Sequence, residues 1–363
     1  MIRVLHISYS NSSSDGGIYF YLQDTICFQK KAFIDSVWLT VKNEGLKLNQ
    51  NELLKKISEL KPNIIHIHGL WKVSTRIIPK LKNITNNIIV SPHGMLNYGS
   101  LRKPYLGNKT LLQFFKKTLY LFFIEKRNLN QIKYFHALTE DEAKQIRSIF
   151  PNKPIKIIST GFKVNKPKKN LKVINELRII FKKHKKILLY MSRLDQHKGL
   201  IQLLSAWNNI VAHAEKYDWY LFIAGFGDLE ESVIKNSERI NSRIFFDGPL
   251  FGENKRFVLQ NSKGFILPSF GEALPVAVLE ALSFKKTCLI SENCNMNKLF
   301  SSKIALKIKI NKDCNNIEET LMKLFQLTEQ EIQQRGSLGL KYLENNHSWD
   351  TIISHTKMFY KDL

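Results

Sequence analysis

Apolar residues fall along this chain in two rhythms. Short runs rich in Val, Ile, Leu and Phe, namely "IRVLHIS", "IDSVWLTV", "NIIHIHG", "NIIVSPHG", "KYFHALT" and "IKIIST", are separated by longer stretches with helical spacing of their apolar positions. After a lapse a second set follows: "KILLYMS", "WYLFIAG", "RIFFDGP", "GFILPS" and "TCLIS". Strand signals alternating with helix signals predict βαβ units and parallel sheets. Runs that are apolar nearly throughout suit strands covered on both faces. The chain has 363 residues, more than the usual ~100–200 of one domain, so the pattern predicts an α/β protein of two doubly wound domains facing a cleft. The lapse lies in "GFKVNKPKKN", 161 to 170, where Lys, Asn and Pro accumulate. It sets the domains at 1–162 and 163–345. The last stretch, "EQEIQQRGSLGLKYLENNHSWDTIISHTKMFYKDL", predicts two helices without a strand between them, and 346–363 is expected to cross back to the first domain. No tandem repeat interrupts this plan.

Composition adds one constraint. Shares of 44% hydrophobic and 24% charged residues are ordinary for a globular chain, but the formal net charge is +24. That excess favours an anionic partner: nucleic acid, an acidic membrane surface or phosphorylated small molecules. Cys27, Cys288, Cys294 and Cys314 form no C-x-x-C pair, which fits reduced thiols in a cytoplasmic compartment and disfavours structural zinc. The N-terminus lacks the apolar region and cleavage site of a signal peptide. "TLLQFFKKTLYLFFIEKR", 110 to 127, is broken by Lys116 and Lys117 into pieces too short to span a bilayer. With its Lys, Phe and Leu, segment 101–127 suits either contact with an anionic membrane surface or packing of its aromatics into the first domain.

In open α/β sheets, ligands sit beyond the carboxyl ends of strands, so the residues after each strand carry the chemistry. Gly16 and Gly17 follow the first strand and open a helical pattern; their amides either approach a phosphate or form a plain turn. Arg193 and Lys198, in "SRLDQHKG", suit a diphosphate, since a guanidinium gives planar two-point contacts and an ammonium adds a point charge. The bland alternative is two solvated loop bases. Gly225-x-Gly227 lacks the third glycine of a dinucleotide fingerprint, because Glu230 occupies its place. In "FGEALPVAVLEAL", Pro275 suits a helix start, with Glu272 just outside and Glu280 inside. On one continuous helix these carboxylates would stand roughly 12 Å apart, too far for a glycosidase pair. They are better suited to holding two parts of one long ligand through its hydroxyls.

The first half places histidines at strand ends: His66, His68, His93 and His136. His66 and His68 share a strand face, so a metal site with His93 is conceivable, yet no carboxylate or cysteine stands at ligand spacing beside them, and no metal is expected. His93, followed by Gly94, suits a cleft; His66 and His136 suit packing. The acidic "TEDE" is explained as a helix start, with Thr139 and Glu142 forming a capping box.

Together, "YMSRLDQHKGLIQLLSAW" with its R-x4-K-G, "IAGFGD" and the E-x7-E of "PSFGEALPVAVLEA" resemble the retaining nucleotide-sugar glycosyltransferases of family 4, also called group 1. "DGG", "IIHIHG" and "SPHGML" match weaker signatures of the same family. The resemblance runs nearly the whole length. It implies the GT-B fold of two Rossmann-like domains, a nucleoside diphosphate sugar as donor, and no cofactor. It further implies that Arg193 and Lys198 hold the donor diphosphate and that Glu280 holds the ribose. Glu272 would contact the sugar, with the amides of Ala273 and Leu274 close by. Gly16 and Gly17 would close over the phosphates, and His93 would stand at the reaction centre. Gly225, in the Gly-x-Gly turn, and Leu250, ending "DGPL", would meet the donor with backbone atoms. The chain departs from the pattern at Ser283–Thr287, where the family commonly has A-x-G-x-P, and at Ala273, a frequent glycine. The acceptor implied is a growing surface glycan, free or lipid-linked. Two rivals are weighed against this reading. A basic nucleic-acid-binding protein would leave Glu272 and Glu280 unexplained, and a sugar-phosphate synthase of the same fold would share the donor site.

Overall fold

The structure, a computed structural model, describes the chain except for residues 1, 12–16, 44–45, 97–117, 165–166, 170, 240 and 311–314. The chain divides into two units, Met1–Lys163 with Asn346–Leu363, and Val164–Asn345.

The first unit holds a sheet of β1 (Arg3–Ser10), β2 (Asp35–Asn43), β3 (Leu46–Lys47), β4 (Ile64–His68), β5 (Ile88–Ser91), β6 (Tyr134–Ala137) and β7 (Ile155–Ile157). Its order is β3-β2-β1-β4-β5-β6-β7, parallel except for the short β2–β3 hairpin. Alternation along the strands separates two faces. Leu5, Ile7, Ile65, Ile67 and Val90 enter the larger core, while Val4, Ile64 and Ile89 meet Ile352, Phe359 and Tyr360 of the final helix, Trp349–Lys361. That helix is fixed at its start by Trp349, which stacks on Phe28 with ring centroids 4.2 Å apart.

The second unit holds β8 (Lys186–Met191), β9 (Trp219–Ala224), β10 (Ile244–Phe246), β11 (Gly264–Leu267), β12 (Thr287–Ser291) and β13 (Ala305–Ile308), all parallel, in the order β10-β9-β8-β11-β12-β13. β13 is absent from the strand signals of the sequence. It is an edge strand in which Lys307 is exposed, and a charge on an edge blunts the apolar run by which strands are read. In each sheet the winding reverses once, between β1 and β4 and between β8 and β11. These are the places where a doubly wound fold opens a crevice at its strand ends.

Candidate active site

In the second unit, β8 ends in a loop that turns at Gln196–Lys198, where the Asp195 side chain caps the Lys198 amide at 3.2 Å. Gly199 follows with φ 71, and a Cβ there would lie 2.0 Å from the Pro268 carbonyl oxygen, so only glycine lets the loops after β8 and β11 meet. The meeting is reinforced by the Phe270 amide and the Ser269 hydroxyl, which both donate to the His197 carbonyl, at 2.8 and 3.1 Å. The far side of the β11 loop is tied to the turn after β12. There the Glu272 amide donates to the Asn293 carbonyl at 3.0 Å, and the Asn295 side-chain amide donates to the Glu272 carbonyl at 2.5 Å.

Charged side chains pair on these loops and on two helices of the same unit. Lys198 Nζ stands 2.5 Å from Glu272 Oε1, with both side chains mostly buried. Glu280, inside the helix Val276–Ser283, stands 2.6 Å from Lys255 Nζ on the helix Gly252–Asn261. Arg193 is largely exposed and reaches Asp195 at 3.0 Å. The two carboxylates of the E-x7-E stretch therefore each hold a lysine. Lys255 and Asp195 were not singled out by sequence: Lys255 belongs to no motif, and only the packing of two helices brings it to Glu280. Pro275 proves to be the N-cap residue, with the helix starting one residue later.

Gly225 has a structural reason of its own. A Cβ there would meet the Ser192 carbonyl oxygen at 1.9 Å, and its amide donates to the Gly248 carbonyl at 2.6 Å. Leu250, Ala273 and Leu274 are half-buried in loops at the strand ends. Burial lifts the Cys294 thiol to about 12, so no thiolate is on offer beside Glu272.

The first unit carries a second polar group at its own reversal. Gly16 lies outside the described residues; Gly17 is the first residue of the helix Gly17–Lys31, exposed, with nothing within 4 Å of where a Cβ would stand. Cross-strand register sets His6 of β1 beside His66 of β4, and the period of two puts His68 on the same face. His6 Nδ1 lies 3.0 Å from His68 Nε2, and His68 Nδ1 lies 2.9 Å from His93 Nε2. His66 and His136 both reach the Ser91 hydroxyl, at 2.8 and 2.9 Å. Burial holds all five rings neutral: it lowers His6 and His136 to about 4, His93 to about 3, and His66 and His68 well below their ordinary value. Ligand nitrogens of His6, His66 and His68 lie within 4.8 Å of one another, but every ring nitrogen of these three is already hydrogen-bonded within the chain.

His93 sits in the left-handed region, φ 51, and so does Gly94, φ 75. The turn is held by Glu142, whose buried carboxylate accepts from the amides of Gly94, 2.7 Å, and Leu138, 2.8 Å. The capping box expected at Thr139 is thus half formed. Thr139 Oγ1 does accept from the Glu142 amide at 3.1 Å, but the Glu142 side chain is committed to the His93 turn. Burial raises its carboxyl above the usual range, with the two amides opposing.

Comparison with known proteins follows the same division. Residues 175–336, all within the second unit, match the family of Glycosyl transferases group 1. That stretch contains Arg193, Lys198, Lys255, Glu272 and Glu280. An uncharacterized glycosyltransferase of Haemophilus influenzae is 30% identical over 111 residues, 30% of this chain and 30% of that protein, so the match spans under a third of the relative. Similar solved structures cover the full length. Sucrose-phosphate synthase from Thermosynechococcus elongatus has a TM-score of 0.77 at 14% identity over 100% of this chain and 99% of that one. A glycosyltransferase from Rickettsia africae scores 0.71 at 15%, covering 99% and 98%. A trehalose-6-phosphate protein from E. coli bound with UDP-2-fluoro glucose scores 0.74 at 12%, covering 99% of each. The fold is the GT-B type, and the 175–336 segment is similar to glycosyl transferases of group 1.

Proposed function

We propose that the protein is a retaining glycosyltransferase of family 4 that moves a sugar from a nucleoside diphosphate sugar to a hydroxyl of a growing surface glycan, without a metal. The observation that carries the reading is the two lysine–carboxylate contacts within the group 1 segment, Lys198–Glu272 where the loops after β8 and β11 meet and Lys255–Glu280 between two helices. Lys198 and Glu272 are mostly buried, and a chain has little reason to bury such a pair for stability, since replacing buried pairs by apolar residues is often neutral or better. In this reading Lys198 and Arg193 take the diphosphate, Glu280 the ribose hydroxyls and Glu272 the sugar, with the 247–250 turn beside the base. Charge developing on the leaving diphosphate is met by Arg193, Lys198 and free amides at helix starts. The departing phosphate oxygen accepts the proton of the incoming hydroxyl. His93 is assigned to the transferred sugar as a neutral hydrogen-bond partner.

The acceptor reading leans on charge and surface. Leu119, Phe122, Phe123 and Ile124 are exposed beside Lys126 and Arg127, which suits docking at an anionic cytoplasmic membrane face where a lipid-linked glycan would be met. Lys109, Lys116 and Lys117 of the same segment lie outside the described residues. No helix among the described residues is long and apolar enough to cross a membrane. A net charge of +24 equally suits a sugar phosphate as acceptor, the second reading, and acceptor panels of lipid-linked glycan and hexose phosphates separate the two.

Calorimetric titration with UDP, GDP and ADP tests the site. One diphosphate should bind, and Lys198→Met should weaken it by about 1.5–3 kcal/mol, a factor of roughly ten to over a hundred, with the circular dichroism spectrum unchanged. Equal affinity in both proteins would remove Lys198 from the diphosphate site.

A further inference from the structure

The buried polar layer of the first unit carries more order than packing requires. A neutral imidazole has one N–H and one bare nitrogen, so a hydrogen bond at one side dictates what the other side can do. The main-chain carbonyl of Ile158 can only accept, and it lies 2.7 Å from His136 Nε2, which must therefore carry the proton. His136 Nδ1 is then bare and accepts from the Ser91 hydroxyl at 2.9 Å. With its proton so used, Ser91 Oγ accepts from His66 Nε2 at 2.8 Å. His66 Nδ1 is in turn bare and accepts from the Tyr360 hydroxyl at 3.0 Å.

A second run starts at Gln29, whose side-chain carbonyl oxygen can only accept. Gln29 Oε1 accepts from Ser36 at 2.7 Å and from His6 Nε2 at 2.8 Å. His6 Nδ1 is bare, so His68 Nε2 donates to it at 3.0 Å, and His68 Nδ1 is bare, so His93 Nε2 donates to it at 2.9 Å. Within each run, every link takes its direction from the one before. Among the described residues, His93 Nδ1 meets no hydrogen-bond partner.

We propose that this one-way chain, anchored at the Gln29 side-chain oxygen, fixes His93 as the Nε2–H tautomer and so presents its Nδ1 lone pair as an obligate acceptor to the ligand. Gln29 is then a positioning residue that acts through His6 and His68. The consequence for specificity rests on the proposed glycosyl transfer. The group meeting His93 must be a hydrogen-bond donor, such as a sugar hydroxyl, and not a carboxylate or carbonyl oxygen. Reversing one tautomer would leave two lone pairs or two N–H groups facing each other in a buried layer, so the direction is held cooperatively.

The test is nitrogen-15 NMR of the full chain labelled at histidine, reading two-bond couplings that separate the Nε2–H, Nδ1–H and doubly protonated forms. His6, His68 and His93 should all be Nε2–H at neutral pH. Gln29→Leu, which removes the carbonyl facing His6, should turn His93 into a mixture of tautomers. Gln29→Glu, whose oxygens can still accept from His6, should keep it Nε2–H. A wild-type His93 found as Nδ1–H overturns the proposal, and so does a Gln29→Leu protein that keeps the pure Nε2–H form. Stoichiometric zinc in the purified protein would overturn it as well, because a metal on His6, His66 and His68 would take ring nitrogens that the hydrogen bonds of this layer occupy. The wild-type spectrum stays readable if the substituted proteins do not fold. None of these readouts requires turnover, so absence of transfer with every donor would sink the functional reading while leaving the tautomer question answered.

Discussion

Replacing Gly199 by Ala tests how the charged site of the second unit is held together. The substitution does two things at once. It asks a residue with a Cβ to keep φ 71, and it places that Cβ 2.0 Å from the Pro268 carbonyl oxygen, about 1 Å inside the 3.0 Å floor for such contacts. The left-handed conformation costs roughly 1–2 kcal/mol, and the forced backbone shift about 1–3 kcal/mol more, so the loss of stability should be about 2–5 kcal/mol. Gly252→Ala is the control, because Gly252 has φ 54 with nothing within 4 Å of the added carbon and should lose only the conformational part. Urea unfolding of the two variants isolates the contact as their difference, at least ~1 kcal/mol. Function should follow. Pro268 leads directly into the loop of Glu272, and a shift of about 1 Å between Glu272 and Lys198 can cost roughly a hundredfold in rate. If the two variants unfold alike and Gly199→Ala transfers sugar normally, the contact does not position the site.

Three further outcomes are expected. Burial pulls Lys286, whose ammonium donates to the Gln260 and Ser262 carbonyls, from 10.5 down to about 8, so the unfolded chain binds more protons than the folded chain between about pH 8 and 10.5. Stability should therefore rise across that window by about 3 kcal/mol and be lost again as pH falls through about 8; urea curves for wild type and Lys286→Met that run parallel from pH 8 to 10 would refute this. Glu142→Ala strands the amides of Gly94 and Leu138 and should destabilise by about 2–6 kcal/mol, read as a lowered melting temperature, with unchanged melting counting against the anchoring role. Phe122→Ser with Phe123→Ser should reduce sedimentation with anionic vesicles and leave the melting temperature unchanged, and undiminished sedimentation would remove this surface from membrane contact.

Much of the fold was legible because doubly wound sheets announce themselves. Strands covered on both faces cannot carry many polar residues, and all eleven quoted runs coincide with strands, as β1, β2 and β4–β12 show. The two missed are edge elements, β13 with its exposed Lys307 and the two-residue β3, where one side faces solvent and the apolar signal thins. At the site, Arg193, Lys198, Glu272 and Glu280 stood out because charge at strand ends is conspicuous. Their partners did not. Lys255 becomes visible only once two helices are packed together, and Asp195, beside Arg193 in the same loop, belongs to no motif of its own. His6 and Gln29 hid for another reason: His6 sits inside an apolar strand and Gln29 on a helix, and nothing in local sequence says that register places them in one buried layer. Glu142 was misread because Thr139-x-x-Glu142 satisfies a helix-start pattern, while the carboxylate is drawn instead to the amides of the His93 turn.

The central claim is retaining transfer from a nucleoside diphosphate sugar at the Lys198–Glu272 and Lys255–Glu280 crevice, and its most direct measurement is proton NMR of the sugar released or transferred from a panel of α-linked UDP-, GDP- and ADP-sugars in the presence of EDTA. The account predicts that one donor is consumed with EDTA present, that its product forms first as the α-anomer, and that Glu280→Gln slows consumption strongly without unfolding the chain. A β-configured first product, a reaction abolished by EDTA and restored by metal, or no consumption of any donor would contradict it.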